Sequence, residues 1–185
     1  MLLHAIITKY RSCEGTELDL ASSLIALVGR NGAGKTNILR AISRAAENAR
    51  APEGQPTLFQ LLERSNIALT FSVADAVFCY TVQRGFEGAP GAEVVSHFTE
   101  TLQKAGQGRD VQLITRYDES VKSDIRKDAI QIGSNVPALH ALGSLLATDD
   151  PLAREIRPAM EFLSKVTYYS LDDRSIASDR APHLR

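Results

Sequence analysis

The spacing of apolar residues divides the chain into three stretches of different character. Residues 3–8 are rich in β-forming side chains and residues 16–20 alternate polar with apolar, so both predict strands, the second half-exposed. Residues 24–28, Leu24-Ile25-Ala26-Leu27-Val28, are continuously apolar, the pattern of a strand buried on both faces. Further on, Ile38, Leu39, Ile42, Ala45 and Ala46 recur at helical spacing, with Arg40, Arg44 and Glu47 on other faces, predicting a helix over 37–49. Two prolines and a glycine then make 50–57 a loop.

The middle third predicts strands over 67–73, 77–84, 93–102 and 110–117, separated by Gly-rich turns such as Ala105-Gly106-Gln107-Gly108 and the stretch 87–91. Successive strands with short turns predict an antiparallel meander rather than further βαβ units. Residues 119–134 are mixed and polar and predict no element. The last third turns helical. Pro137 suits a first helical turn ahead of Leu139, Leu142, Leu145 and Leu146. Asp150-Pro151 supplies an N-cap and a proline at the first position, before Leu152, Ile156, Met160 and Leu163. Pro158 should kink or divide that helix. Residues 166–171 predict one more strand, and 172–185 a polar tail.

A length of 185 residues suits one domain or one lobe of a larger one. Apolar content of 44% and charged content of 23% are those of a soluble globular protein. The net charge of −1 advertises no global basic field, so strong sequence-independent DNA binding by this piece alone is not expected. Cys13 and Cys79 lack metal-ligand spacing and read as reduced thiols of a cytoplasmic protein. His4, His97, His140 and His183 are scattered without a ligand pattern. The opening residues read as a strand, not a signal peptide, and no apolar run approaches the roughly 20 residues of a membrane span, so no membrane partner is expected.

One segment carries chemistry. Gly29-Arg30-Asn31-Gly32-Ala33-Gly34-Lys35-Thr36 fits G-x-x-x-x-G-K-[ST], the phosphate-binding P-loop, with an apolar run before it and a helical pattern after it. Glycines let the backbone curl so that N–H groups converge on phosphate oxygens, and the helix that follows starts with unpaired N–H groups. Lys35, the candidate catalytic residue, would reach the β- and γ-phosphates, and the Thr36 hydroxyl would ligate Mg²⁺. The candidate nucleotide-binding set is Arg30, Asn31, Gly32, Ala33, Gly34, Lys35, Thr36 and Asn37, with ATP and Mg²⁺ as cofactors.

The run from Gly29 to Asn37, with Tyr10-Arg11-Ser12 and a Leu-Asp-Leu strand ahead of it, resembles the start of ABC-type ATPases of the SMC and RecF class. Residues 96–102 and 111–116 resemble the "E-x-L … V-x-x-R" hairpin of OLD-like and bacterial defence ATPases in the AAA family. The resemblance implies an ATPase that closes as a homodimer or larger oligomer around two sandwiched ATP molecules. It also implies that Arg11 touches nucleotide phosphate and Asn31 lies beside the γ-phosphate. DNA or an effector nuclease would be partners of the complete protein.

The chain departs from that pattern in three places. It has no LSGGQ-like signature, and Leu142-Gly143-Ser144 falls within a helical pattern. The one Walker B candidate is the strand 166–171 followed by Asp172-Asp173, whose Tyr168, Tyr169 and Ser170 are polar for a central strand. Gln83, Gln131 and Glu100 are the Q-loop positions to consider, and each reads as a surface side chain. The expected fold class is therefore α/β, a P-loop NTPase lobe with an antiparallel β-subdomain over 1–135, a partial helical subdomain and strand over 136–171, and a tail over 172–185. Such a lobe binds ATP with little hydrolysis of its own. The rival expectation is a nucleotide-gated dimerisation module without turnover, and a third is a degenerate loop in a structural subunit, against which the intact Gly34-Lys35-Thr36 speaks.

Overall fold

The computed structural model describes residues 1–50, 65–87, 95–134 and 136–168. Among them are eight strands in one sheet and three helices. In chain order these are β1 (Leu2–Tyr10), β2 (Cys13–Asp19), α1 (Lys35–Glu47), β3 (Ser65–Val73), β4 (Ala76–Glu87), β5 (Val95–Lys104), β6 (Val111–Tyr117), β7 (Ser120–Lys122), β8 (Ile130–Gln131), α2 (Ala138–Leu145) and α3 (Pro151–Lys165). The strand order is β2-β1-β3-β4-β5-β6-β7-β8, and every neighbouring pair is antiparallel. The meander expected from the turn signals is present, and it extends into residues 119–134 through the short strands β7 and β8.

Period-two alternation decides which face is buried. In β3, Ser65, Ile67, Leu69 and Phe71 turn inward while Asn66, Ala68 and Thr70 remain partly exposed. Ala5 and Ile7 of β1 and Phe78, Tyr80 and Val82 of β4 continue the same buried surface. The helices cover it. Ala41, Ile42, Ala45 and Ala46 of α1 and Leu152, Ile156, Ala159 and Leu163 of α3 are all buried, and they join one core with the sheet residues. Phe71 stacks on Phe78 at 5.7 Å and on Phe162 of α3 at 4.7 Å, which ties helix to sheet through flat aromatic contacts.

Asp150 caps α3 as its spacing predicts, accepting the N–H groups of Leu152 and Ala153. Pro158 does not divide the helix: α3 runs unbroken through it. The carbonyl freed by the missing N–H belongs to Arg154 on the exposed side, where water can serve it, while Ile156, Ala159 and Leu163 hold the other side in the core. The α2 helix contains Leu142-Gly143-Ser144, as the pattern indicates.

Residues 24–28 correct the sequence reading. They form no strand, and Leu24 and Val28 are 87% and 93% exposed instead of buried on both faces. A strand of that kind needs a neighbour on each side, and the described residues put none beside it. Leu39 is likewise exposed, at the outer edge of the apolar face of α1. Val166 is extended, and residues 166–168 form no strand. The loop expected over 50–57 falls mostly outside the described residues. So do the turn beyond residue 87, the rest of the strand expected over 166–171, Asp172-Asp173, and His183. No described helix is long and apolar enough to cross a membrane.

Candidate functional site

The segment 29–36 leaves the exposed run and turns tightly into α1. Gly32 and Gly34 have φ of 84° and 89°, left-handed values that side-chain-bearing residues avoid, so the glycine spacing is a backbone requirement. Ala33 N–H donates to the Arg30 carbonyl at 3.2 Å, which fixes the first bend. Gly34 is the N-cap of α1 and brings no side chain to cap it, and the first turn holds no acidic residue. The helix therefore starts with unsatisfied N–H groups and the positive end of its dipole facing an open cavity. That cavity has a volume of about 370 Å³ and is lined by residues 31–37.

Lys35 turns back into the loop. Its ammonium group donates to the carbonyls of Gly29 at 2.6 Å and Arg30 at 2.8 Å. The Lys35 ammonium, the glycine turn and the uncapped start of α1 thus lie close together at this cavity. This arrangement can hold an anion of several oxygens, and phosphate is the chemistry it matches. The Thr36 side chain is exposed at the first turn of the helix, in the cavity lining, as a metal-ligating hydroxyl would have to be.

The structure brings Asn31, Gly32, Ala33, Gly34, Lys35, Thr36 and Asn37 together around the cavity. Arg30 contributes its carbonyl to Lys35, and its side chain is exposed outside the lining. Arg11 is also outside it. Its guanidinium lies over the Tyr10 ring at 5.7 Å, in the turn between β1 and β2.

Residues 6–162 match the family of AAA domains. The chain belongs to that family. No curated protein matches it. The matched span runs from β1 to α3, so the AAA domain takes in the meander and the helices as well as the loop.

Of the three Q-loop positions, Gln83 and Gln131 are exposed as expected in this AAA domain, but Glu100 is not. Glu100 is fully buried at the centre of a polar cluster. Its carboxylate accepts Ala138 N–H at 2.6 Å, Leu139 N–H at 3.0 Å and the Tyr80 hydroxyl at 2.9 Å. Burial is the largest influence on its pKa and pushes it up, while these donors and Arg116 pull it down. Burial, with the neighbouring carboxylate, raises the Tyr80 phenol well above its ordinary range, so it remains a donor.

Arg116, also fully buried, donates to the carbonyls of Asp118, Gly133, Ser134 and Val136 and lies over the Phe98 ring at 5.2 Å. Burial lowers its pKa, against the opposing charge of Glu100. This cluster caps α2 and fixes the segment leading to it. Its members appear in the sequence only as the acid and base of a hairpin pattern. What makes an inward-facing strand position legible is its parity with Phe98 and Leu102, and Glu100 shares it. Among the described residues no group of His, Cys, Asp and Glu is placed to hold a metal ion.

Proposed function

We propose that this AAA domain is the ATP-binding lobe of an ABC-type ATPase of the SMC/RecF/OLD-like class, a P-loop NTPase in which residues 29–36 hold the triphosphate. The observation that carries the reading is the Lys35 ammonium folded onto the Gly29 and Arg30 carbonyls at the uncapped start of α1. Those bonds poise a cation beside the backbone donors that would receive phosphate oxygens. Mg²⁺, when bound, would add charge neutralisation at the β- and γ-phosphates, with the Thr36 hydroxyl as its protein ligand. Arg11 and Asn31 are the further phosphate contacts in this reading, Asn31 from the cavity lining and Arg11 from the neighbouring β1–β2 turn.

Turnover needs more than these residues supply. Phosphoryl transfer depends on positioned charge, a carboxylate to orient water among it, and among the described residues the cavity lining contains none. The exposed Leu24 and Val28 fit a site that another strand completes. In this reading Walker B and signature groups come from that completing element and from a second copy across an ATP sandwich. DNA or an effector nuclease is the partner of the assembled protein. The carboxylate-free lining also favours a second reading, a module whose nucleotide gates dimerisation without turnover.

Calorimetric titration of Mg·ATP into the chain and into Lys35→Ala tests the proposal. Saturable binding that the substitution weakens at least about tenfold is expected, the loss of one charge-assisted contact to phosphate. Equal binding by both proteins, or none by either, overturns it. Oligomer size with and without Mg·ATP then separates the two readings of what binding does.

A further inference from the structure

The turn between β1 and β2 touches the loop from the side. Tyr10 and Cys13 are paired across the hairpin and both are buried, so only Arg11 and Ser12 make the turn. Arg11 has φ of 51°, a positive value at the first central position, where type II′ hairpins take glycine. Lys9, two positions earlier, is also left-handed at 56°. Two side-chain-bearing residues in that region within three positions is local strain held by the surrounding pairing.

The strained turn places Ser12 against the loop at two points. Ser12 Oγ accepts the side-chain N–H of Asn37 at 2.8 Å. It also stands 3.0 Å from where a Cβ on Gly34 would be. Gly34 is the N-cap of α1 and Asn37 lies in its first turn, so one hydroxyl binds the first turn and fills the space beside the cap residue. Asn37 lines the cavity but spends its amide N–H sideways on Ser12.

We infer that Ser12 is a positioning residue for the phosphate loop: with Asn37 it clasps the first turn of α1 to the β1–β2 hairpin and holds the backbone of residues 32–36 in its turned arrangement. The inference rests on the proposed reading of that loop as the nucleotide site. Asn37, on this account, serves binding by bracing the loop and not by touching nucleotide. The left-handed turn at Arg11 carries Ser12 to the side of the loop.

Ser12→Ala, Ser12→Thr, Asn37→Ala and the double alanine variant test it on the full chain. Each single alanine variant should weaken Mg·ATP binding about 3–10-fold, the loss of one hydrogen bond. The double variant should be no weaker than either single one, and Ser12→Thr should restore wild-type affinity. In nucleotide-free protein, amide exchange at residues 32–36 should quicken in Ser12→Ala while β3 and β4 keep their protection. Independent, additive losses overturn the clasp, as does a loss matched by faster exchange throughout the sheet. If the wild-type chain binds no Mg·ATP, the nucleotide reading falls and exchange alone decides: quickened loop amides uphold the clasp, and unchanged ones overturn it.

Discussion

Glu100 and Arg116 stand directly opposite one another on β5 and β6, both fully buried, with 3.9 Å between carboxylate and guanidinium. Their main partners are backbone groups rather than each other. Glu100 takes the first N–H groups of α2, and Arg116 takes the carbonyls of the segment just before it. The pair thus fixes where α2 begins and holds the segment that leads into it. Each charge is satisfied by several hydrogen bonds, the condition under which a buried pair is tolerated.

Glu100→Gln should destabilise the fold by about 2–4 kcal/mol, because the amide nitrogen can accept from none of the Ala138, Leu139 and Tyr80 donors that the two carboxyl oxygens share. The effect should depend on pH. A carboxyl raised by burial keeps in the folded state the proton that the unfolded chain releases near pH 4.3. Its contribution is therefore fullest below about pH 4.3 and declines as pH rises through the folded value. Urea denaturation of both proteins across that range should show a stability gap that is widest in acid and narrows upward. A gap that widens with pH would falsify the raised carboxyl.

Gly34→Ala should bind Mg·ATP at least about tenfold more weakly while the sheet stays folded. A left-handed alanine costs about 1–2 kcal/mol, and its Cβ would press on Ser12 Oγ at 3.0 Å. Calorimetry with a far-ultraviolet dichroism control reads both. Unchanged affinity would mean that the loop reshapes freely around nucleotide.

Arg11→Gly should separate stability from binding. Glycine accepts φ of 51° without strain, so stability should hold or rise by up to about 1 kcal/mol. Affinity for Mg·ATP should fall if the guanidinium swings onto phosphate. A thermal melt and a titration on the same preparation give the two answers, and parallel losses in both would contradict the strain.

Leu24→Ser with Val28→Ser should leave the stability of the chain within about 0.5 kcal/mol of wild type, since neither side chain is packed. Denaturant midpoints check this. A clear drop would show that these residues are already covered in solution by another copy or segment.

The meander was legible because its strands are half-buried and their alternation is written in every second residue, as in Ile67, Leu69 and Phe71. The glycine loop was legible because backbone geometry demands its spacing, and the φ values of Gly32 and Gly34 bear this out. Residues 24–28 misled because an apolar run records burial in a finished sheet and says nothing of whether the neighbours are present. Glu100 misled for the opposite reason. A carboxylate reads as surface unless its three donors are known, and two of those are backbone N–H groups 38 and 39 residues away. Arg11 and Ser12 carried a positional hint in their motif, but the clasp to Asn37 spans 25 residues and has no local signature.

The loop at 29–36 is fastened unequally. Its exit is rooted in α1, whose inner face is locked into the core, and it is braced by the hairpin through Ser12. Its entry, residues 24–28, lies unpaired in the open. Mechanically this is a cantilever, stiff at one root and compliant at the other. An anion held by the loop would meet a fixed wall on the helix side and open chain on the entry side. The lever arm that would carry word of an occupied site to a neighbouring strand is the segment from Leu24 to Val28.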